Sequence, residues 1–346
     1  MAHLLYDYNL FGIGKINPFD IYNLTIGDEI YSDNFLPIRW ACHKDLLSNK
    51  YITTAAKIGN LKCIKYLHKR GCEWNELTLE TAAIYGHLSV LQYLHKQGCP
   101  HHRTICIEVA ANGQLECLKY LYEERVEWDW WRTLRAASLN GHLQCMKYLH
   151  EQNDYWDKEI SYAVACGGSL DCIKYLHEEG CPWDEITCRE AAENGHLSVL
   201  RYLHEEGCPW NSTTSAGAAR SGYLFILQYL HKEGCPWDSW SLTGAIAYNK
   251  PKIIKYLLDE GCPYDVYTCG AAAEKGQLEI LKYLHEQGCP WNEKVFYRAA
   301  LKGNLNCVKY LHEQGCPWDY SKSISLLDKH PECLQYLTDN GYINST

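Results

Sequence analysis

The apolar positions of this chain return in a pattern about 27 residues long. In the block from Trp183 to Pro209, Leu197, Leu200 and Leu203 recur at helical spacing, and Val199 and Tyr202 widen the same face. That periodicity predicts a helix, here called B, from about His196 to Glu206, with a face broad enough to be sandwiched between neighbours. Ahead of it the pattern predicts a shorter helix A. Asp184 is a suitable N-cap, because its carboxylate can accept a first-turn N–H. Ala191 and Ala192 lie where close helix approach needs small residues, and Gly195 ends the helix in the left-handed conformation. Gly207 closes helix B, and Pro209 stops it from continuing.

Two markers show that the block repeats. Tyr followed by Leu occurs at Tyr66, Tyr93, Tyr120, Tyr148, Tyr175, Tyr202, Tyr229, Tyr256, Tyr283, Tyr310 and Tyr336. The step is 27 residues except for 28 after Tyr120 and 26 after Tyr310. The string Gly-Cys-Pro-Trp returns at Gly180, Gly207, Gly234, Gly288 and Gly315, with close variants at Gly71, Gly98 and Gly261. Nine of the ten residues in the N-cap slot are Asp or Asn, and His102 is the exception. The expected fold is all-α, an α-solenoid of about eleven helix–turn–helix repeats with short loops. Residues 1–50 are read as an N-terminal capping segment, with a helix from Leu36 to Leu47 whose Trp40 and Leu46 cover the first repeat. Residues 51–346 form the array, including a C-terminal cap past Tyr336, where Pro331 replaces the usual Leu. The loop Trp is read as core between repeats, since burying its ~200 Å² is worth up to roughly 5 kcal/mol before entropy is subtracted. The preceding Cys is read as a small hydrophobe tucked under the loop. Cys63, Cys117, Cys145, Cys172, Cys307 and Cys333 share a helix B slot with Val and Ile, which marks a packing position.

The string from Ala191 to Leu200, Ala-Ala-Glu-Asn-Gly-His-Leu-Ser-Val-Leu, resembles the Ala-Ala-x-x-Gly-His-x-x-Val-Val segment of ankyrin repeats. Gly207-Cys208-Pro209-Trp210 stands where an ankyrin unit begins its hairpin loop. The resemblance covers roughly residues 51–340. Its departure is length, since ankyrin units have about 33 residues; the missing six fall in the projecting hairpin. This short form resembles repeats abundant in giant viruses of amoebae and in some protists and algae. The resemblance implies protein–protein binding through the concave face, the short loops and helix A.

Composition narrows the function further. A net charge of −9 and a pI near 6.0 argue against nucleic acid. No apolar run approaches ~18 residues, so no membrane span is expected, and Met1–Lys15 lacks a signal-peptide pattern. The 19 cysteines belong mostly to the repeat. Equivalent thiols on packed helices stand ~8–10 Å apart, beyond the ~7 Å between Cα atoms that a disulfide allows, so reduced thiols and an intracellular setting are expected. His68, His95, His150, His177, His204, His231, His285 and His312 share one slot, each but His150 followed by Cys four residues on. Zinc needs four ligands within ~2.3 Å, whereas each unit supplies two at most. These His are read as helix C-terminal residues, with no metal and no cofactor. No phosphate-binding, serine-hydrolase or zinc-protease motif is present. The sequons at Asn23, Asn211 and Asn344 would go unused in such a setting.

The expected role is a non-catalytic protein-binding scaffold. The alternative is a substrate-recruiting adaptor for a ubiquitin ligase, working through residues 1–50, of which Leu36-Pro37 is the single echo. Two groups of surplus aromatics are candidate partner-binding residues, since interface hot spots favour Trp, Tyr and Arg. Trp130, Trp131, Arg132 and Tyr155 lie where two loops have lost Gly-Cys-Pro; the alternative reading is repeat drift, with the extra rings filling a local packing gap. Trp240, Tyr248 and Tyr267 occupy variable helix A or loop slots in neighbouring units.

Overall fold

A computed structural model describes residues 49–153, 155–319 and 329–340. The expected capping helix at Leu36–Leu47, with Leu36-Pro37, Trp40 and Leu46, lies outside these residues. The chain divides into two compact units, Met1–Tyr155 and Trp156–Thr346. Among the described residues the first unit is four helix pairs: α1 (Asn49–Ile58) with α2 (Leu61–Lys69), α3 (Glu76–Ile84) with α4 (Leu88–Lys96), α5 (Ile105–Ala111) with α6 (Leu115–Glu123), and α7 (Trp130–Leu139) with α8 (Leu143–Gln152). The second is six pairs and a last helix: α9 (Lys158–Gly167) with α10 (Leu170–Glu178), α11 (Glu185–Glu193) with α12 (Leu197–Glu205), α13 (Ser212–Ser221) with α14 (Leu224–Lys232), α15 (Ser239–Ala247) with α16 (Pro251–Asp259), α17 (Val266–Glu274) with α18 (Leu278–Glu286), α19 (Glu293–Leu301) with α20 (Leu305–Glu313), and α21 (Pro331–Asp339). Among the described residues there is no strand. Each pair is one helix A followed by one helix B, so the architecture is an all-α repeat stack within each unit.

Local chemistry explains where the helices begin. The Asp184 carboxylate accepts the Ile186 N–H at 3.0 Å, and Thr187 completes a capping box. Asp238 accepts the Trp240 N–H at 3.0 Å in the same way. His102, the odd residue in this slot, does not cap a helix: α5 starts at Ile105 after Thr104, and His102 is held instead from the previous pair. The buried Glu80 carboxylate accepts its backbone N–H at 3.0 Å and pairs with its ring. Pro331 occupies the first turn of α21, where its missing N–H costs nothing.

Packing follows the small residues. Helices A stack on one another through positions such as Cys188, Ala191 and Ala192, all fully buried. From helix B, Val199, Leu200 and Leu203 are fully buried, whereas Leu197 and Tyr202 are half-buried, so the core stripe is narrower than the hydrophobic pattern suggests. Gly195, at φ +89°, ends α11 under the ring of Tyr223 from the next pair; a Cβ there would lie 2.7 Å from that ring. Glycine is therefore required twice over, for backbone conformation and for space.

The loop reading is half right. Cys208 is buried and its thiol donates to the Asp184 carbonyl at 3.3 Å, and Cys289 does the same to Asp265 at 3.2 Å. Burial pushes the thiols of Cys262 and Cys316 up to about 12, so both stay protonated at neutral pH. The expectation that the loop Trp is core is corrected: Trp74, Trp183, Trp210 and Trp291 are half-buried. Each lies against the His that ends its own helix B, with ring centroids 3.9 Å apart for His68–Trp74 and 3.7 Å for His204–Trp210. The tryptophan also meets the Tyr of the next helix B edge-on, at 6.3 Å for Trp291–Tyr310. That His is more than a favourable charge at a helix end. Its Nδ1 hydrogen-bonds the next unit's Tyr hydroxyl, at 3.0 Å for His68–Tyr93, 2.8 Å for His177–Tyr202 and 2.9 Å for His285–Tyr310.

Two predictions follow from these local departures. Arg125 holds φ +57° where other loops carry Gly; Arg125→Gly should stabilise the protein by about 1 kcal/mol, read from urea denaturation. The Glu80 hydrogen bond and charge raise the His102 pKa. The raised value adds stability that is complete below the unfolded histidine pKa of about 6.5 and fades as pH climbs through the folded value. Glu80→Gln should bring the His102 titration, followed by NMR, down toward that ordinary value.

Candidate protein-docking surface

The hydrophobic pattern of helix A leaves certain slots facing water. One is the position two residues after the N-cap, another the position that follows the helix. In α15 these are Trp240 and Tyr248, 59% and 60% exposed, and in α17 the first is Tyr267, 45% exposed. Trp240 and Tyr267 stack across the two helices with centroids 5.9 Å apart and planes inclined by 18°. The structure thus brings this second group of candidate residues onto one face.

Beside Trp240 and Tyr248 a groove of about 670 Å³ runs over α11, α13 and α15. Its floor is made by Ala216, Gly217, Thr243 and Gly244. Its charged edge is internally paired, with three carboxylates to two guanidiniums. Arg189 pairs with Glu190 at 2.8 Å, Arg220 pairs with Glu193, and Asp238 is spent as the N-cap of α15. A second cleft of about 530 Å³ shares Glu193, Arg220 and Tyr248 and reaches Lys250.

The floor glycines were missed by reading the sequence, because they sit inside helices at ordinary helical backbone and look like neutral members of an Ala-rich run. The signal was there: the same slot carries Glu190, Ala271 and Arg298 in other units. A Cβ on Gly244 would meet nothing closer than 3.5 Å, ordinary contact, so neither packing nor conformation demands glycine there. A helix-interior glycine costs roughly 0.5–1 kcal/mol relative to alanine.

The first group of candidates is arranged differently. The Trp130 indole N–H donates to the Leu149 carbonyl at 3.1 Å, and its ring lies 6.2 Å from that of Trp131, both half-buried. Trp130 is thus committed to its own helix pair. Arg132 pairs with the Asp129 carboxylate at 3.4 Å, and Tyr155 is 57% exposed at the end of its unit. In the first unit, Leu77 and Tyr85 hold the same two helix A slots as Trp240 and Tyr248 and are also exposed.

Among the described residues no group of three or more His, Cys, Asp or Glu is placed to hold a metal ion. All 18 described cysteines are free, and no described helix is long and apolar enough to cross a membrane. In stability terms the two tryptophan sites should separate cleanly. Trp130→Ala should cost about 2 kcal/mol, through a lost hydrogen bond and packing, while Trp240→Ala should stay within about 0.5 kcal/mol. Gly244→Ala should gain about 0.5–1 kcal/mol in the same denaturation measurement.

Comparison with known proteins locates the repeat. Residues 52–129 and 79–160 match the family model described as ankyrin repeats (3 copies), and residues 271–312 match the one described as ankyrin repeats (many copies). No curated protein matches the chain. Among solved structures, the human ASB11 ankyrin repeat domain is similar, with 22% identity and a TM-score of 0.39, covering 46% of this chain and 84% of that one. The helix pairs over residues 52–160 and 271–312 are thus similar to ankyrin repeats.

Proposed function

We propose that the protein is a non-catalytic scaffold that binds another protein through the helix A face of its second unit. The observation that carries this reading is the exposure of Trp240 and Tyr248 at the edge of a groove floored by Gly217 and Gly244. Large aromatic side chains held on rigid helices lose little entropy on binding, which is why they dominate interface energetics. Ankyrin repeats typically serve as protein-binding scaffolds, which supports the same reading. A repeat of about 27 residues leaves little chain for a projecting hairpin, which favours helix A and the loops as the contact surface. Trp131, Arg132 and Tyr155 are further candidate contacts in the first unit; Trp130 does not join them, because its indole is engaged by Leu149. A reducing, intracellular setting fits the buried thiols of the repeat.

The test is affinity capture with mass spectrometry, followed by direct titration of the captured partner on the W240A/Y248A double variant. Loss of two exposed anchors should weaken binding at least 10-fold with the thermal transition unchanged. Full-strength binding by a folded double variant would remove this surface from consideration.

A further inference from the structure

We infer that Cys188 with Cys208, and Cys269 with Cys289, are oxidation sites at which a peroxide closes two disulfides, each within one helix pair and its following loop. The inference is independent of the docking surface. Three observations carry it.

The first is where the sulfurs stand. The helix A slot that holds Cys188 faces the loop cysteine that follows helix B of the same pair. Where this slot is serine, the Ser161 hydroxyl lies 3.2 Å from the Cys181 sulfur and the Ser215 hydroxyl 3.5 Å from the Cys235 sulfur. Cys188 on α11 and Cys269 on α17 occupy the same slot, so each sets a second sulfur where those hydroxyls stand. The Cys188 thiol reaches the Cys208 carbonyl at 3.9 Å and lies within hydrogen-bonding reach of the Cys208 thiol. The Cys269 thiol meets the Cys289 thiol likewise. These contacts join unlike slots of one unit, so the ~8–10 Å between equivalent positions on packed helices does not keep the sulfurs apart.

The second is the contrast with the other described units. Leu79, Leu242 and Phe296 fill the slot opposite Cys99, Cys262 and Cys316, and no bridge can form there. Burial pushes those three loop thiols up to about 12. The thiolate is the reactive form, so they stay inert.

The third is an asymmetry within each pair. Cys188 and Cys269 are fully buried, whereas the loop residues Cys208 and Cys289 are 4% and 3% exposed. The hydrogen bond from the Cys269 thiol holds the Cys289 pKa below its ordinary value, while the Cys269 pKa is raised. The loop sulfur is therefore the one that attacks. It takes one oxygen from hydrogen peroxide, becoming a sulfenic acid and releasing one water. The helix thiol then attacks that sulfur, the S–O bond breaks, and the oxygen leaves with the thiol proton as a second water. Two thiols and one peroxide thus give one disulfide and two waters. The loop sulfur gives up its hydrogen bond to the N-cap carbonyl, Asp184 or Asp265, and a covalent bond closes the pair in its place.

The test treats the reduced full chain with hydrogen peroxide, unfolds it with N-ethylmaleimide present, and maps it by mass spectrometry without reductant. The Cys188–Cys208 and Cys269–Cys289 crosslinks should become the dominant forms of these residues, while Cys181, Cys235, Cys262 and Cys316 are recovered carrying maleimide. The thermal transition should rise by roughly 5 °C on oxidation and fall back with dithiothreitol. The C188S/C269S variant copies the Ser–Cys pairs already present at Ser161 and Ser215. It should form neither crosslink and show no rise, and Cys188→Ser alone should lose only its own crosslink. Absence of either crosslink overturns that site. Crosslinks scattered among the other cysteines, or sulfinic acid at Cys208 and Cys289 beside intact helix thiols, overturn the inference as a whole.

Discussion

A helix of nine residues with its leucines on one side does not survive alone in water, because nucleation is costly and the apolar face stays wet. Every element of this protein depends on relieving that cost by contact with the next helix pair. The fully buried side chains, such as Ala191, Ala192, Leu200 and Leu203, lie where one pair meets its neighbours. Stability in such a stack is close to a sum of repeat and neighbour terms.

Polar groups sharpen this apolar contact into a fixed geometry. The Cys208 thiol reaches back to the carbonyl of the N-cap residue, His177 reaches forward to Tyr202, and Tyr223 lies on Gly195. Each of these ties one pair to the next at a defined offset. The consensus residues are therefore spent on holding repeats in register.

The repeat, its helix boundaries and its caps were readable in the residues, because period, N-cap chemistry and glycine placement are local properties. Asp184, Gly195 and Gly207 act as their types suggest. The tryptophan at the loop was harder, since its size argues for burial while its position after Cys-Pro carries it to the rim, against His and Tyr. The His–Tyr bond was invisible for a different reason: it joins residues 25 apart whose relative placement exists only once the pairs are stacked. At the candidate surface, Trp240, Tyr248 and Tyr267 stood out as surplus aromatics, yet nothing local separated them from Trp130, whose indole turns inward to Leu149. The groove floor was legible only in three dimensions, because Gly217 and Gly244 become one surface when α13 and α15 lie side by side.

The slot two residues after the N-cap has one further property. Among the described residues it holds Leu77, Trp131, Glu159, Ile186, Thr213, Trp240, Tyr267 and Lys294. The helix asks of this residue only its backbone N–H, as Asp238 asks of Trp240 and Asn292 asks of Lys294. At Trp240 and Lys294 a different side chain would leave that capping bond in place. Within each unit such a position can change its side chain while the bond that starts its helix remains.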